Sequence, residues 1–385
     1  MSAPRLAWLD ALRAVAVLLV VYAHLTRFVF TDLRAVTGEW LHAGPAGVML
    51  FFLVSGYIIP ASLERHGDLR RFWRSRARRL LPLYLAVGAV LVLAGAPLDA
   101  RSATGHLIML PFLTGVPLIT AVFWTLSFEM AFYLLVTALF AVRVTSASWP
   151  AVLLALAGAL TAPLAPLRFG SVPFATAAVL VIGLAGVLSR RRWAVIAGGL
   201  LTGVLTLGLL VWNMDPAHAR DGLLIVAVMF TGTVIHHADH RRIPWWRAAV
   251  VLAVVASSLL AVWLEELADL DALTPRYIAR SVLTLLVIGG TFAAGMLLRH
   301  RDTPWWLARI GVLSYSIYLI HYVVIELSRP LLSSPIPDPL LASGYLAVVL
   351  GVSWATHRWI EVPGQRLWVT DSRPASETPR PASRR

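Results

Sequence analysis

Long apolar runs, most of them close to 20 residues in length, constrain this chain more than any other feature of its sequence. About 20 helical residues at 1.5 Å each cover a hydrocarbon core of roughly 30 Å. The sequence therefore predicts an all-α fold, a polytopic transmembrane helical bundle with about 10–12 spans. Twelve candidate spans are found, at 7–27, 45–63, 80–96, 124–142, 150–166, 172–189, 193–212, 220–237, 245–264, 277–298, 305–327 and 341–359.

Three segments fit this pattern less well. The stretch 104–123 is apolar but is interrupted by Pro111 and Pro117, and it is interpreted as a re-entrant or interfacial segment. The weakest spans are 150–166, which contains three prolines, and 172–189.

Composition excludes several classes of protein. Only 14% of the residues are charged and 58% are hydrophobic, whereas a soluble domain carries about a quarter charged residues. An ordinary cytosolic enzyme is therefore excluded. The chain has no cysteine, which rules out disulfides, thiolate metal sites and a cysteine nucleophile. No metal site is predicted.

The net charge of +13 is best explained by membrane orientation. The sequence contains no lysine, so arginine supplies all the Lys+Arg charge. Arginines concentrate in the segments that face inward if the N-terminus is inside, and the acidic residues Glu265, Glu266, Asp269 and Asp271 lie on the other side. This positive-inside pattern predicts a cell-membrane protein with cytoplasmic termini and no nucleic-acid partner. Residues 1–363 are assigned to one transmembrane domain, and the polar segment 364–385 to a disordered cytoplasmic tail.

Ionisable groups inside a membrane are costly, so each is a candidate for function. Asp10 and Arg13 lie three residues apart in the first helix, close enough to pair on one face. The pair fits a structural clamp at the inner interface or a role in ligand binding.

His24, Glu129 and His321 are predicted to lie at a similar height in the outer third of the bilayer. His24 is eleven residues beyond Arg13, roughly 16 Å along the axis. Glu129 is five residues into a helix that enters from outside. Together they fit a general base with an orienting partner, or a buried structural network.

The second helix and the segment after it contain two further candidate groups. Ser55 follows the apolar run 47–54 and is more consistent with local hydrogen bonding than with nucleophilic attack. Residues 65–79 are expected to form a loop, and seven arginines fall within it. They fit anionic lipid headgroups or a phosphate-bearing cofactor, since guanidinium groups bind phosphates bidentately.

Five ordered blocks resemble the membrane-bound acyltransferase 3 family of bacterial O-acyltransferases. The resemblance runs from Leu9 to Pro363, where Glu361-Val362-Pro363 resembles the terminal Glu-x-Pro of the family. The blocks are Leu9-Asp10-Ala11-Leu12-Arg13 with His24, Phe51-Phe52-Leu53-Val54-Ser55-Gly56-Tyr57, Arg76 and Arg79 with Leu80-Leu81-Pro82-Leu83-Tyr84, Trp124-Thr125-Leu126-Ser127-Phe128-Glu129, and Ser314-Tyr315-Ser316-Ile317-Tyr318-Leu319-Ile320-His321.

The resemblance implies transfer of an acyl group from a cytosolic acyl-coenzyme A, as co-substrate, to a hydroxyl, often on a sugar. No permanently bound cofactor is implied. In the family the histidine that matches His24 is essential, and arginines that match Arg13 and the second-loop cluster serve activity and donor binding. Ala11, Ala14 and Met130 depart from the family pattern. Compact members include macrolide-antibiotic acyltransferases.

The resulting hypothesis assigns a role to each candidate. Arg13, Arg74, Arg76 and Arg79 hold the phosphates of coenzyme A, and His24, oriented by Glu129, takes the proton of the acceptor hydroxyl. The oxyanion donor is left open among Tyr318, Ser55 and Ser127, and His321 is a further candidate for contact with the substrate.

Two other classes of protein remain open at this point. A proton-coupled multi-pass transporter would use Glu129, His24 and His321 as a relay, and a lipid-binding scaffold would need no intramembrane charge. The sequence does not indicate an oligomeric state.

Overall fold

A computed structural model describes residues 7–144, 148–160, 170–211, 216–332 and 337–366. Within these ranges the chain is helical, with turns and loops but no strand. The helices are α1 (Ala7–Phe28), α2 (Thr31–Thr37), α3 (Ala43–His66), α4 (Leu69–Leu93), α5 (Ala100–Leu107), α6 (Phe123–Ala141), α7 (Trp149–Leu160), α8 (Pro173–Val187), α9 (Arg192–Val211), α10 (Pro216–Asp239), α11 (Trp245–Asp269), α12 (Pro275–Leu297), α13 (Trp305–Leu327), α14 (Arg329–Leu332), α15 (Asp338–Thr356) and, after one π-helical turn (His357–Glu361), α16 (Val362–Arg366).

The predicted all-α, multi-pass bundle is confirmed. Among the described residues, nine helices are long and apolar enough to cross a membrane, and they coincide with nine of the twelve predicted spans. The predicted span 80–96 corresponds to the second half of α4, while 150–166 and 172–189 correspond to the shorter helices α7 and α8. Residues 161–169 and 367–385 lie outside the described residues, so most of the predicted tail stays a prediction.

Burial separates a central helix from peripheral ones. The spanning window of α10 is 94% buried inside the protein, whereas that of α12 is 22% buried. The outward surface of the peripheral helices carries exposed leucine, valine and tryptophan side chains. Such a surface is stable only against lipid, because contiguous exposed apolar area in water promotes association.

Glycines allow the central helices to approach closely. A Cβ on Gly56 of α3 would lie 1.7 Å from the backbone oxygen of Met229 in α10, and one on Gly311 of α13 would lie 1.8 Å from that of Asp10 in α1. Close backbone approach through small residues is a main source of helix association in membranes. The crossings of α3 with α10 and of α1 with α13 therefore depend on these glycines.

Gly56→Ala is expected to destabilise the protein by at least about 1–3 kcal/mol, the usual cost of overpacking a filled interior. Thermal unfolding of the purified protein in detergent measures the change. Gly88→Ala in α4 is the matched control, because nothing lies within 4 Å of its added methyl group. Equal unfolding temperatures for the two variants would contradict the proposed role of this crossing.

The arginine block is helical, which corrects the expectation of a loop at 65–79. Gly67, in the left-handed conformation at φ 62°, ends α3, and the Asp68 side chain accepts hydrogen bonds from the backbone N–H groups of Arg70 and Arg71 to begin α4. Helical periodicity then buries Arg76 and leaves Arg74 exposed. The arginines of α4 therefore fall on two faces of the helix, with Arg76 on the buried face and Arg74 on the exposed face.

The segment predicted to be re-entrant is packed inside the protein. After α5, residues 108–122 form turns without regular helix, and Leu110, Thr114 and Val122 are buried. The Thr114 carbonyl accepts a hydrogen bond from the Val172 backbone N–H at 3.0 Å. Consequently, α6 begins in the protein interior, directly after this segment.

Candidate active site

His24 presents one ring nitrogen to a large cavity. Its Nδ1 lies 2.9 Å from the Val20 carbonyl oxygen, and a carbonyl only accepts hydrogen bonds, so Nδ1 carries the proton. The unprotonated Nε2 is then left as an acceptor. His24 lines a cavity of about 1140 Å³, called here the wide cavity, which is bounded by α1, α2, α3, α10, α11 and α12, by the start of α6 with the segment before it, and by Tyr318 of α13. This state of the imidazole suits a general base.

The structure brings His24 and His321 together. Their ring centroids are 5.0 Å apart, and Tyr322 packs on His24 at 5.2 Å. His321 is fully buried, and its Nδ1 lies 3.1 Å from the Ile317 carbonyl oxygen. Its Nε2 has no hydrogen-bond partner among the described residues. Two of the three residues predicted to lie at a similar height are therefore neighbours in the structure.

Glu129 does not join the histidines, which corrects the predicted level of this carboxylate. It accepts a hydrogen bond from the Tyr133 hydroxyl and lies beside Arg13 and Arg79 in a second, narrow cavity of about 70 Å³. Glu129 was predicted to lie near the outer membrane surface because α6 was predicted to begin at that surface. Since α6 begins in the interior, its fifth to seventh residues lie deeper.

The geometry of α6 against α13 gives the size of this offset. The hydroxyl groups of Thr125 and Tyr318 are 2.9 Å apart, so these two side chains meet where α6 contacts α13. In α6, Glu129 lies one turn beyond Thr125 toward the arginines, about 6 Å along the helix axis. In α13, His321 lies three residues beyond Tyr318 in the opposite direction. The predicted orientation of His24 by Glu129 is therefore not supported by this arrangement.

The narrow cavity is lined by Arg13, one member of the predicted ion pair, and by one of the predicted serines. Arg13 donates to Asp10 Oδ1 at 3.1 Å, as the three-residue spacing predicted. Ser55 lines the same cavity, together with the aromatic rings of Phe51 and Phe52. A mixed wall of guanidinium groups and apolar rings suits an anionic ligand with an apolar arm.

Tyr318 connects the two cavities. It lines both of them, as does Val48, and it is 8% exposed. A hydroxyl has one donor and two acceptor sites, so after its bond with Thr125 it keeps capacity for a bound group. The imidazole of His24 and the guanidinium groups thus lie on either side of one tyrosine.

The other two oxyanion candidates differ in position. Ser127 is fully buried, and its Oγ accepts a bond from the Phe112 backbone N–H at 3.4 Å. That bond fastens the buried segment 108–122 to α6, and Ser127 is not part of the wall of either cavity. Ser55 remains available, in the narrow cavity.

The predicted donor-binding arginines also separate. Arg79 lines the narrow cavity. Arg76 is 8% exposed, stacks its guanidinium over the rings of Phe72 and Tyr133 at 5.6 and 5.8 Å, and has an Nε without a partner among the described residues. Arg74 is exposed, and its Nε donates to the Arg70 carbonyl at 3.3 Å.

The wall of the wide cavity was missed by sequence reasoning. It combines aromatic rings, carboxylates and guanidinium groups, namely Trp124, Trp263, Tyr277, Asp221, Glu266, Glu39, Arg34 and Arg280. From the sequence, the acidic residues of this region were interpreted only as indicators of membrane orientation. A signal was present, because aromatic and acidic residues together at helix ends are typical of polar ligand sites as well.

His42 stands at the rim of this cavity, before the first residue of α3. Burial, with the nearby Arg280 and Arg34, lowers the pKa of His42 to about 4. Its backbone N–H donates to Thr284 Oγ1 at 3.2 Å. His42 is therefore neutral at pH 7 and adds no positive charge to the cavity wall.

The closing Glu361 is a buried structural group. It accepts hydrogen bonds from the Ser316 hydroxyl and, at 2.9 Å, from His357 Nδ1. The bond from Ser316 links the π-helical turn to α13, the helix that carries Tyr318 and His321.

Comparison with known proteins gives a consistent result. The model of a family described as an acyltransferase domain matches residues 6–358. The peptidoglycan O-acetyltransferase OatA of Listeria monocytogenes is 24% identical over 394 residues, which cover 92% of this chain and 55% of that protein. The O-acetyltransferase OatA of Staphylococcus aureus is 37% identical over 92 residues, which cover 22% of this chain and 13% of that protein.

This chain thus spans about half the length of the Listeria protein and matches a smaller part of the Staphylococcus protein. No solved structure matches the chain.

Proposed function

The chain belongs to the acyltransferase 3 family, and on that premise we propose that it is an integral-membrane O-acyltransferase. It moves an acetyl or other short acyl group from acyl-coenzyme A to a hydroxyl of a sugar, glycan or macrolide-type acceptor. One observation carries the proposal. The wide cavity with its imidazole and the narrow cavity with its arginines meet at Tyr318.

The donor enters from the arginine end. Arg79 and Arg13 line the narrow cavity, and Arg76 has an unused buried Nε, so guanidinium groups are available for the phosphates of coenzyme A. The pantetheine arm then lies between Phe51 and Phe52, with the thioester at Tyr318. By the positive-inside rule this end faces the cytosol.

The chemistry at the junction is a direct acyl transfer. His24 Nε2 takes the proton of the acceptor hydroxyl as its oxygen attacks the thioester carbon. The tetrahedral intermediate places negative charge on the former carbonyl oxygen, and the Tyr318 hydroxyl donates to it. The intermediate collapses by breaking the C–S bond, and the departing thiolate takes the proton from His24. No acyl-cysteine is possible, because the chain has no cysteine.

The acceptor occupies the wide cavity. Its volume of about 1140 Å³ slightly exceeds the roughly 300–1,000 Å³ of ordinary ligand pockets, which leaves room for one or more sugar rings or a macrolide. Trp124 and Trp263 supply apolar faces, and Asp221 and Glu266 supply acceptors for hydroxyl groups. A neutral, polyhydroxylated acceptor fits this wall best.

The experiment that tests the function uses the purified chain in detergent with acetyl-coenzyme A and hydroxylated acceptors. Release of free coenzyme A, together with a mass gain of one acyl group on the acceptor, is the expected result. A proton-coupled transporter would instead move a substrate across proteoliposomes without consuming the thioester. The histidine–carboxylate relay of that alternative loses support, because Glu129 bonds Tyr133 away from His24.

Arg79, which lines the narrow cavity, and Arg74, which is exposed on the same helix α4, give a matched test of the donor site. Arg79→Ala is expected to raise KM for acetyl-coenzyme A about 10–100-fold, the effect of losing one charge-assisted hydrogen bond. Arg74→Ala removes the same charge from the same helix but only an exposed contact, and it is expected to change KM by less than about twofold. Steady-state kinetics measure both. An equal loss in the two variants would show that general surface charge, and no specific arginine, attracts the donor.

A further inference from the structure

A second polar cluster lies away from both cavities, where α3 and α10 end. One ring nitrogen from each of His236 and His237 and one oxygen of Glu64 lie within 4.8 Å of one another. His236 is 7% exposed and His237 is 1% exposed. None of the three lines the wide or the narrow cavity. No metal site was predicted from the sequence, in which Glu64 lies far from His236 and His237.

The protein itself leaves part of the hydrogen-bonding capacity of both imidazoles unused. His237 Nε2 donates to Glu64 Oε1 at 3.0 Å. The Nδ1 atoms of His236 and His237 are buried without a hydrogen-bond partner among the described residues. Leaving buried polar atoms unpaired is costly. Packing alone therefore does not account for two adjacent imidazoles at this position.

We propose that Glu64, His236 and His237 bind a divalent transition-metal ion, zinc by preference, which links α3 to α10. Imidazole nitrogen with one carboxylate oxygen is a zinc ligand set, whereas magnesium and calcium take oxygen ligands. The His237–Glu64 separation of 3.0 Å is close to the roughly 3.3 Å between neighbouring ligand atoms of a tetrahedral ion with bonds of about 2.0–2.1 Å. Three protein ligands leave the fourth position to water.

The surroundings orient these ligands without completing the shell. Arg242 donates to the second oxygen of Glu64, an arrangement that commonly positions a ligating carboxylate. His240 stacks on His236 with ring centroids 4.0 Å apart and is half exposed. Asp239 is already bonded to Tyr57 at 2.7 Å and to Arg299 at 2.5 Å. Because Arg242 balances the charge of Glu64, we expect a weaker site than one with a free carboxylate.

An ion at the ends of α3 and α10 would stabilise the contact between these two helices. Gly56 and Gly232 hold α3 and α10 in backbone contact, and the cluster lies two turns beyond Gly56 in α3. Glu64 also lies just before Gly67, after which the arginine helix α4 begins. A metal ion at this place fixes the end of α3 from which α4 departs.

The test uses the purified full chain without a polyhistidine tag. The protein is stripped with a chelator, equilibrated with zinc chloride, desalted and analysed for bound metal by mass spectrometry. The wild type is expected to retain one zinc ion per chain and no magnesium. His237→Ala and Glu64→Gln are expected to retain less than about a tenth of that amount, because each loses one of the three protein ligands.

His66→Ala is the matched control. His66 is on the same helix as Glu64, is exposed, and bonds only to the Ser62 carbonyl among the described residues, so this variant is expected to bind zinc like the wild type. Zinc should also raise the unfolding temperature of the wild type and of His66→Ala but not of Glu64→Gln. If His237→Ala fails to fold, the wild type and Glu64→Gln suffice. Absence of retained zinc in the wild type, or equal zinc in Glu64→Gln, would overturn the proposal.

Discussion

Replacing His24 with alanine is expected to lower the rate of acyl transfer by about 10²–10⁴-fold, the usual contribution of a positioned general base. The reason lies in the hydrogen bond of Nδ1 to the Val20 carbonyl, which leaves Nε2 unprotonated and directed to accept a proton. Alanine removes this acceptor without adding volume. Free coenzyme A released in the presence of acceptor measures the rate.

Loss of folding has to be separated from loss of chemistry. His24 is half-buried at the cavity wall, so His24→Ala is expected to insert into the membrane and to elute from size-exclusion chromatography like the wild type. His66→Ala, an exposed histidine change on α3, is expected to leave turnover unchanged. Near wild-type turnover in His24→Ala would refute the assignment of the base.

Tyr318→Phe is expected to lower kcat by about 10²–10³-fold, the effect of removing one donor to a developing oxyanion. The substitution keeps the ring that packs against Phe51 and His321 and removes only the hydroxyl at the junction of the two cavities. Because the contact forms in the transition state, KM for the donor is expected to change little. Steady-state kinetics with varied acetyl-coenzyme A separate the two constants.

Tyr84→Phe is the control for this substitution. Tyr84 is also buried, and its hydroxyl bonds His106 Nδ1 at 2.9 Å, away from both cavities. It therefore tests the loss of a buried tyrosine hydroxyl as such. A similar fall in kcat for both variants would mean that Tyr318 acts through stability and has no role at the thioester.

Features governed by the membrane could be predicted from the sequence. The spans follow from hydropathy, because every segment that crosses lipid must be long and apolar. The Asp10–Arg13 bond follows from helical spacing alone. The proximity of His24 and His321 could also be predicted. The position of each histidine was counted in residues from the start of its own helix, and both helices begin close to the predicted residues.

Features that depend on irregular backbone could not be predicted in this way. Glu129 was placed too high because the buried segment 108–122 moves the start of α6 into the interior. The arginine block was expected to be a loop, since charge density at a membrane surface does not distinguish a loop from a helix capped by Asp68.

Tertiary clusters were equally inaccessible to the sequence. Residues from α2, α6, α10, α11 and α12 form the wall of the wide cavity, and Glu64 meets His236 and His237 from a distant part of the chain. No periodicity within one helix reports such a contact. The helix crossings fixed by Gly56 and Gly311 determine which residues meet.

The central claim is that the acyl donor passes from the arginines through the narrow cavity to His24, and one accessibility measurement tests it most directly. The chain has no cysteine, so Ser55→Cys provides a unique thiol in the narrow cavity and Ser343→Cys provides one on the exposed face of α15. Modification by a small methanethiosulfonate is followed with and without acetyl-coenzyme A. At about ten times its Kd the donor is expected to slow the Ser55→Cys reaction roughly tenfold and to leave Ser343→Cys unaffected. An unchanged rate at Ser55→Cys under saturating donor would contradict the account.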